Sequence, residues 1–202
     1  VRVLLEVHSG NPEAQFQAGR LLQELAGARF ARLQRLAPDS AETHELLGKY
    51  LEAHGRLREA LAEYRLAVER HPSGQGLHFL LGNIYWKLGS FDAALPELQA
   101  ELRLNPSHTM ANHRIGHIHV SRHQVAEALP YLEKAVRGDP EFPEARRDLG
   151  KALRLAGRFE EALRELASCE NCSVFQMLAQ AVLDGVPVKD AIACAIPTTF
   201  DA

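Results

Sequence analysis

The chain is poor in the residues that usually carry chemistry. Of its 202 residues 6% are aromatic, with 1 Trp, and there are only 2 Met and 3 Cys. No apolar run approaches the roughly 20 residues of a membrane span, so membrane insertion is not expected. Lys and Arg number 23 against 26 Asp and Glu, a net charge of −3 with His neutral. Without a basic excess the electrostatic footprint of a nucleic-acid binder is missing. No glycine-rich phosphate loop, G-x-S-x-G elbow or H-E-x-x-H pair occurs. Neither enzymatic activity nor a cofactor is therefore expected. The first residue is Val1 rather than Met. If Val1 is a processed terminus the protein is exported, to a periplasm or outside the cell; otherwise it is cytoplasmic.

What the chain does have is a period. Pro38, Pro72, Pro106 and Pro140 are 34 residues apart, and Gly48, Gly82, Gly116 and Gly150 keep the same step, as do Ala60, Ala94, Ala128 and Ala162. Leu47, Leu81, Ile115 and Leu149 precede the glycines; Tyr64, Leu98, Leu132 and Leu166 follow the alanines by four. Each unit reads as two helices. In the second, apolar residues at 77, 80, 81, 84, 85 and 88 have helical spacing, Gly89 closes the helix, and Ser90 opens another that ends at Pro106. Gly82 and Ala94 are small because the two helices cross there.

This pattern resembles the tetratricopeptide repeat family. Repeat one shows Leu47-Gly48, Gly55, Ala60, Tyr64, Ala67 and Pro72 at that family's offsets. The departures are Glu101 and Cys169 at the last small position, and His119 and His123 in repeat three. The resemblance implies an all-α, right-handed α-solenoid: one domain over 1–202, with regular units at 41–74, 75–108, 109–142 and 143–172. The flanks are degraded repeats. Residues 12–27 and 28–38 read as a helix pair whose turn is about five residues short of the usual one. Residues 1–7 read as helix or strand, and 173–202 as a truncated fifth pair with a tail.

By that resemblance the first helix of each repeat lines a concave groove, and the protein is a non-catalytic scaffold for a partner protein or peptide. The groove would present Lys49 from repeat one, then Phe79, Asn83, Trp86 and Lys87 from repeat two. His113 and His117 follow from repeat three, and Arg147, Lys151 and Arg154 from repeat four. An extended peptide with an apolar anchor and an acidic flank suits this surface. Trp86 could equally pack against the next repeat. The clamp by which chaperone-binding members hold a C-terminal carboxylate is not met: the matching positions are Glu45, Lys49, Leu80, Met110 and Arg114, or Phe79, Asn83, Arg114, Glu144 and Asp148.

The histidine run "HRIGHIHVSRH" places His113 with His117, and His119 with His123, one turn apart. With no Cys or carboxylate at a matching spacing beside them, no metal is expected. His119 stands where the family packs a Tyr and reads as a core residue, and a pH-dependent groove is open to the other histidines. Asp148 and Glu144 read as solvated surface. Cys169 and Cys172, in a C-x-x-C, lack the second pair a zinc site wants and the βαβ setting of a redox pair. By the repeat frame Cys194 lies near one of them, so a disulfide is expected if the protein is exported. The apolar, incomplete ends suggest a second function, head-to-tail self-assembly into an oligomer or extracellular filament.

Overall fold

A computed structural model of the protein describes residues 12–167 and residue 187. The expectations for residues 1–11, for the fifth helix pair, for Cys169, Cys172 and Cys194, and for self-assembly through the ends lie outside the described residues. Helices alone make up the regular structure of the described part. None of these is long and apolar enough to cross a membrane. The chain divides into two compact units, Val1–Leu77 and His78–Ala202.

In the first unit α1 runs over Pro12–Leu36, α2 over Ala41–Ala53 and α3 over Leu57–Arg70. The helix pair expected before residue 40 is one continuous 25-residue helix. The reason is local. The stretch around Gly27 is too short to reverse the chain, and one glycine inside a helix costs only about 1 kcal/mol relative to Ala. Phe16 and Leu36 on this helix are 66% and 72% exposed. Helix α2 starts at Ser40, whose hydroxyl accepts the Thr43 N–H at 3.2 Å. It packs on α3, where Gly48 lets the fully buried Tyr64 ring come close. The Tyr64 hydroxyl donates to Glu52 at 2.6 Å. Burial first, then this bond, pushes its pKa far above the usual phenol value.

The second unit holds three further pairs: α4 (Leu77–Lys87) with α5 (Phe91–Leu104), α6 (Thr109–Ser121) with α7 (Val125–Gly138), and α8 (Pro143–Leu155) with α9 (Phe159–Ala167). Each repeats the crossing. A Cβ on Gly116 would lie 2.5 Å from Leu132, and the same position meets Leu98 in repeat two and Leu166 in repeat four. Leu98 and Leu132 are fully buried and Leu166 nearly so, each contributing on the order of 2 kcal/mol. Pro96 and Pro130 sit inside α5 and α7 on exposed faces, where the carbonyl each leaves without a donor faces water.

The first helices of repeats one, two and four end on Gly55, Gly89 and Gly157, at φ of 73°, 72° and 75°. The next N–H closes the end by reaching back five residues, as Ser90 does to Tyr85 at 2.9 Å. Repeat three makes the same bond, Gln124 to His119 at 2.9 Å, but with His123 in the left-handed position at φ 58°. Glu101, the other departure from the repeat, is fully buried. Its carboxylate accepts the Phe79 N–H at 3.3 Å, in the first turn of α4, where an anion is favoured by the helix dipole.

Candidate functional site

The first helices of repeats two, three and four, α4, α6 and α8, are joined by polar side chains. Arg114 of α6 donates from Nε to Asn83 Oδ1 on α4 at 3.1 Å. Its guanidinium lies 3.8 Å from the centre of the Trp86 ring, a cation–π contact. Burial lowers the Arg114 pKa, opposed by the charges of Asp148 and Glu144. Trp86 meets the edge of His117, with ring centres 5.3 Å apart. From α8, Asp148 Oδ2 then receives both His113 Nε2 and His117 Nδ1, each at 2.9 Å. Both bonds require an N–H on the ring atom that faces the carboxylate, which fixes both tautomers.

Asp148 is 7% exposed and His113 2%. Burial alone would raise the Asp148 pKa; the hydrogen bonds from His113 and His117 outweigh it and hold the carboxyl well below the ordinary carboxylate range. The reading of Asp148 as solvated surface is therefore corrected. The premise that no carboxylate stands beside His113 and His117 is corrected with it. Asp148 arrives through the fold, from the next repeat. The signal was present in the spacing. His117 and Asp148 are 31 residues apart, as are Asn83 and Arg114, and His113 and Asp148 are 35 apart. One period minus three, or plus one, brings a residue to its neighbour on the next first helix.

The other expected groove residues divide. Asn83 and His113 are buried and engaged, so neither offers its side chain to a groove ligand. Phe79 is half-buried, with its ring tilted against His108 at 4.5 Å and packed against the core of Ala94, Leu98, Ala111, Ile115 and Ile118. Trp86 packs against the same core, and its indole Nε1 is buried with no hydrogen-bond partner. Lys87 and Arg147 are exposed, while His117, Lys151 and Arg154 are half-buried. Arg154 Nε is also a buried donor without a partner. In the first unit Lys49 pairs with Glu45 at 2.5 Å. His119 is only half-buried rather than a core residue; its ring stacks on Tyr131 and its Nδ1 meets Gln124 at 2.9 Å.

Two models described as tetratricopeptide repeat match the chain, one over residues 17–75 and 45–109, the other over 119–169. No curated protein matches it by sequence. Among solved structures, the chain is similar to YrrB, a TPR protein with an unusual peptide-binding site, at 23% identity and a TM-score of 0.67, over 83% of this chain and 90% of that one. It is similar to pilF of Pseudomonas aeruginosa at 16% identity and a TM-score of 0.69, over 90% of this chain and 86% of that one. The first TPR of Spaghetti (RPAP3), bound to the HSP90 peptide SRMEEVD, aligns at 23% identity and a TM-score of 0.55, over 58% of this chain and 93% of that one. At these identities the likeness concerns the fold.

Proposed function

The chain belongs to the tetratricopeptide repeat family, and we propose that it is a non-catalytic scaffold binding an extended acidic peptide of a partner protein along α4, α6 and α8. One observation carries this reading. Trp86 Nε1 and Arg154 Nε are buried donors without partners, and they occupy the same position of the repeat, two periods apart. A buried donor left unpaired costs about 1–3 kcal/mol, which a ligand's acceptor recovers once the side chain turns toward the groove. Arg147, exposed and seven residues before Arg154, adds a cation on the same helical face. The solved structures of similar fold that hold peptide sites support the mode of binding.

Selection of peptides on the purified, tag-free chain, followed by calorimetry, tests the reading. Acidic sequences are enriched. Arg154→Ala weakens the selected peptide about 10–100-fold, and Trp86→Phe, which removes the indole N–H together with part of the ring, about 3–10-fold. Amidating the peptide's C-terminus changes nothing, because Asn83 is buried on Arg114 and the described first helices do not assemble the residues of a carboxylate clamp. For the same reason the chaperone tail peptide shows no low-micromolar binding. A selection without acidic enrichment, or a selected peptide indifferent to both substitutions, overturns the proposal.

A further inference from the structure

Among the described residues, His113, His117 and Asp148 are the one group of three potential metal ligands that converge, their ligand atoms all within 4.8 Å of one another. We propose that they form a binding site for a divalent transition-metal ion, Zn²⁺ being the best match, which clasps repeat three to repeat four. The donor set is two imidazole nitrogens and one carboxylate oxygen, the composition borderline and hard first-row ions take. Two of the three come from one helix at i and i+4, so their spacing is set by the helix and costs no loop ordering. Tetrahedral zinc at about 2.0–2.1 Å from each donor needs its ligand atoms roughly 3.4 Å apart. Asp148 Oδ2 stands 2.9 Å from each nitrogen and the two nitrogens lie within 4.8 Å of each other, so side-chain adjustments of about an ångström or less bring the three donors to that spacing. His117 is 35% exposed, and the fourth position opens to solvent on its side.

Two further features bear on binding. A metal takes the lone pairs of the two ring nitrogens that face Asp148, so the proton each now directs at the carboxylate moves to the other ring nitrogen or leaves as the ion binds. The neighbouring charges act in opposite directions: Arg114 opposes a cation, and Glu144, exposed one turn before Asp148, favours it. His117 touches Trp86, which places the site beside the proposed peptide groove, and the test below is made without peptide.

The test is titration of the tag-free, chelator-treated chain with Co²⁺, read by its visible ligand-field absorption, then displacement with Zn²⁺. One Co²⁺ binds per chain with the intensity of a four-coordinate site, and Zn²⁺ abolishes the band and raises Tm. His117→Ala, half-exposed and compatible with folding, weakens binding at least about 100-fold, as does Asp148→Asn. His44→Ala and His78→Ala leave binding unchanged. No band, a band typical of six-coordinate Co²⁺, or a band that survives His117→Ala overturns the site. Circular dichroism of His117→Ala confirms that a lost band reports a lost ligand rather than lost structure.

Discussion

The two units solve the pairing of histidine with carboxylate in opposite ways. In the first, one imidazole serves two carboxylates: His44 Nδ1 meets Glu63 at 2.7 Å and Nε2 meets Asp39 at 3.2 Å. In the second, one carboxylate serves two imidazoles, with His113 and His117 both on Asp148. The charge ratio decides what each site holds. Two anions around His44 keep a proton on it, raising its pKa although burial, the largest single influence, works the other way. Hydrogen bonds from two rings hold the buried Asp148 ionised, and the same three side chains form the proposed metal site. Position matters as well. His44 and Glu63 are 19 residues apart and tie the two helices of one repeat, as His78 with Glu97 and Arg146 with Glu165 do. The Asp148 cluster ties one repeat to the next.

The largest expected effect comes from removing the shared carboxylate. Asp148→Ala strands the buried His113 and takes a counter-charge from Arg114, and should destabilise by about 3 kcal/mol in urea. Asp39→Ala should move the midpoint far less, because Asp39 is 66% exposed. If the two substitutions cost the same, the distinction between a buried clasp and a surface pair collapses.

Much of this fold was legible because the 34-residue period encodes it directly. Gly116 under Leu132, and Gly89 at the end of α4, follow from residue size and backbone freedom alone. The break in register near Gly27 was legible too, but not its outcome, since a run too short to turn can be read as a poor turn or as no turn at all. The clasp was missed because its members lie on different repeats. Reading one helix at a time makes Asp148 a surface charge and leaves His113 and His117 without a carboxylate. Burial of Asn83 and His113 was hidden for the same reason: their partners, Arg114 and Asp148, come from the next first helix. Which face of a first helix stays open depends on the neighbour.

The histidine run can be dissected further, because its members do different work. His123 lies in the left-handed region where the other three repeats have glycine. For a residue with a Cβ that conformation costs about 1–2 kcal/mol, part of which glycine gives back through its freer unfolded chain. His123→Gly should therefore stabilise the protein by about 1 kcal/mol in chemical denaturation, with Co²⁺ binding at His113 and His117 unchanged. A loss of stability would mean that the His123 side chain makes a contact worth more than its backbone conformation costs.

The smallest effect concerns pH and separates the two sites by sign. Because the pKa of His44 is raised in the folded state, its contribution is complete below its ordinary value of 6.5 and is lost as pH climbs through the raised folded value. The groups facing it are Glu63 of α3 and Asp39, which is itself held by Arg70 at 2.8 Å. Because the chain has 10 His, the quantity to measure is the difference in urea midpoint between the wild type and His44→Gln. That difference should be largest near pH 6 and shrink toward pH 8.5, by less than about 1 kcal/mol given the exposure of Asp39. A difference that grew with pH would show that His44 is held neutral, and the contrast between a proton-holding and an anion-holding site would fail on its first half.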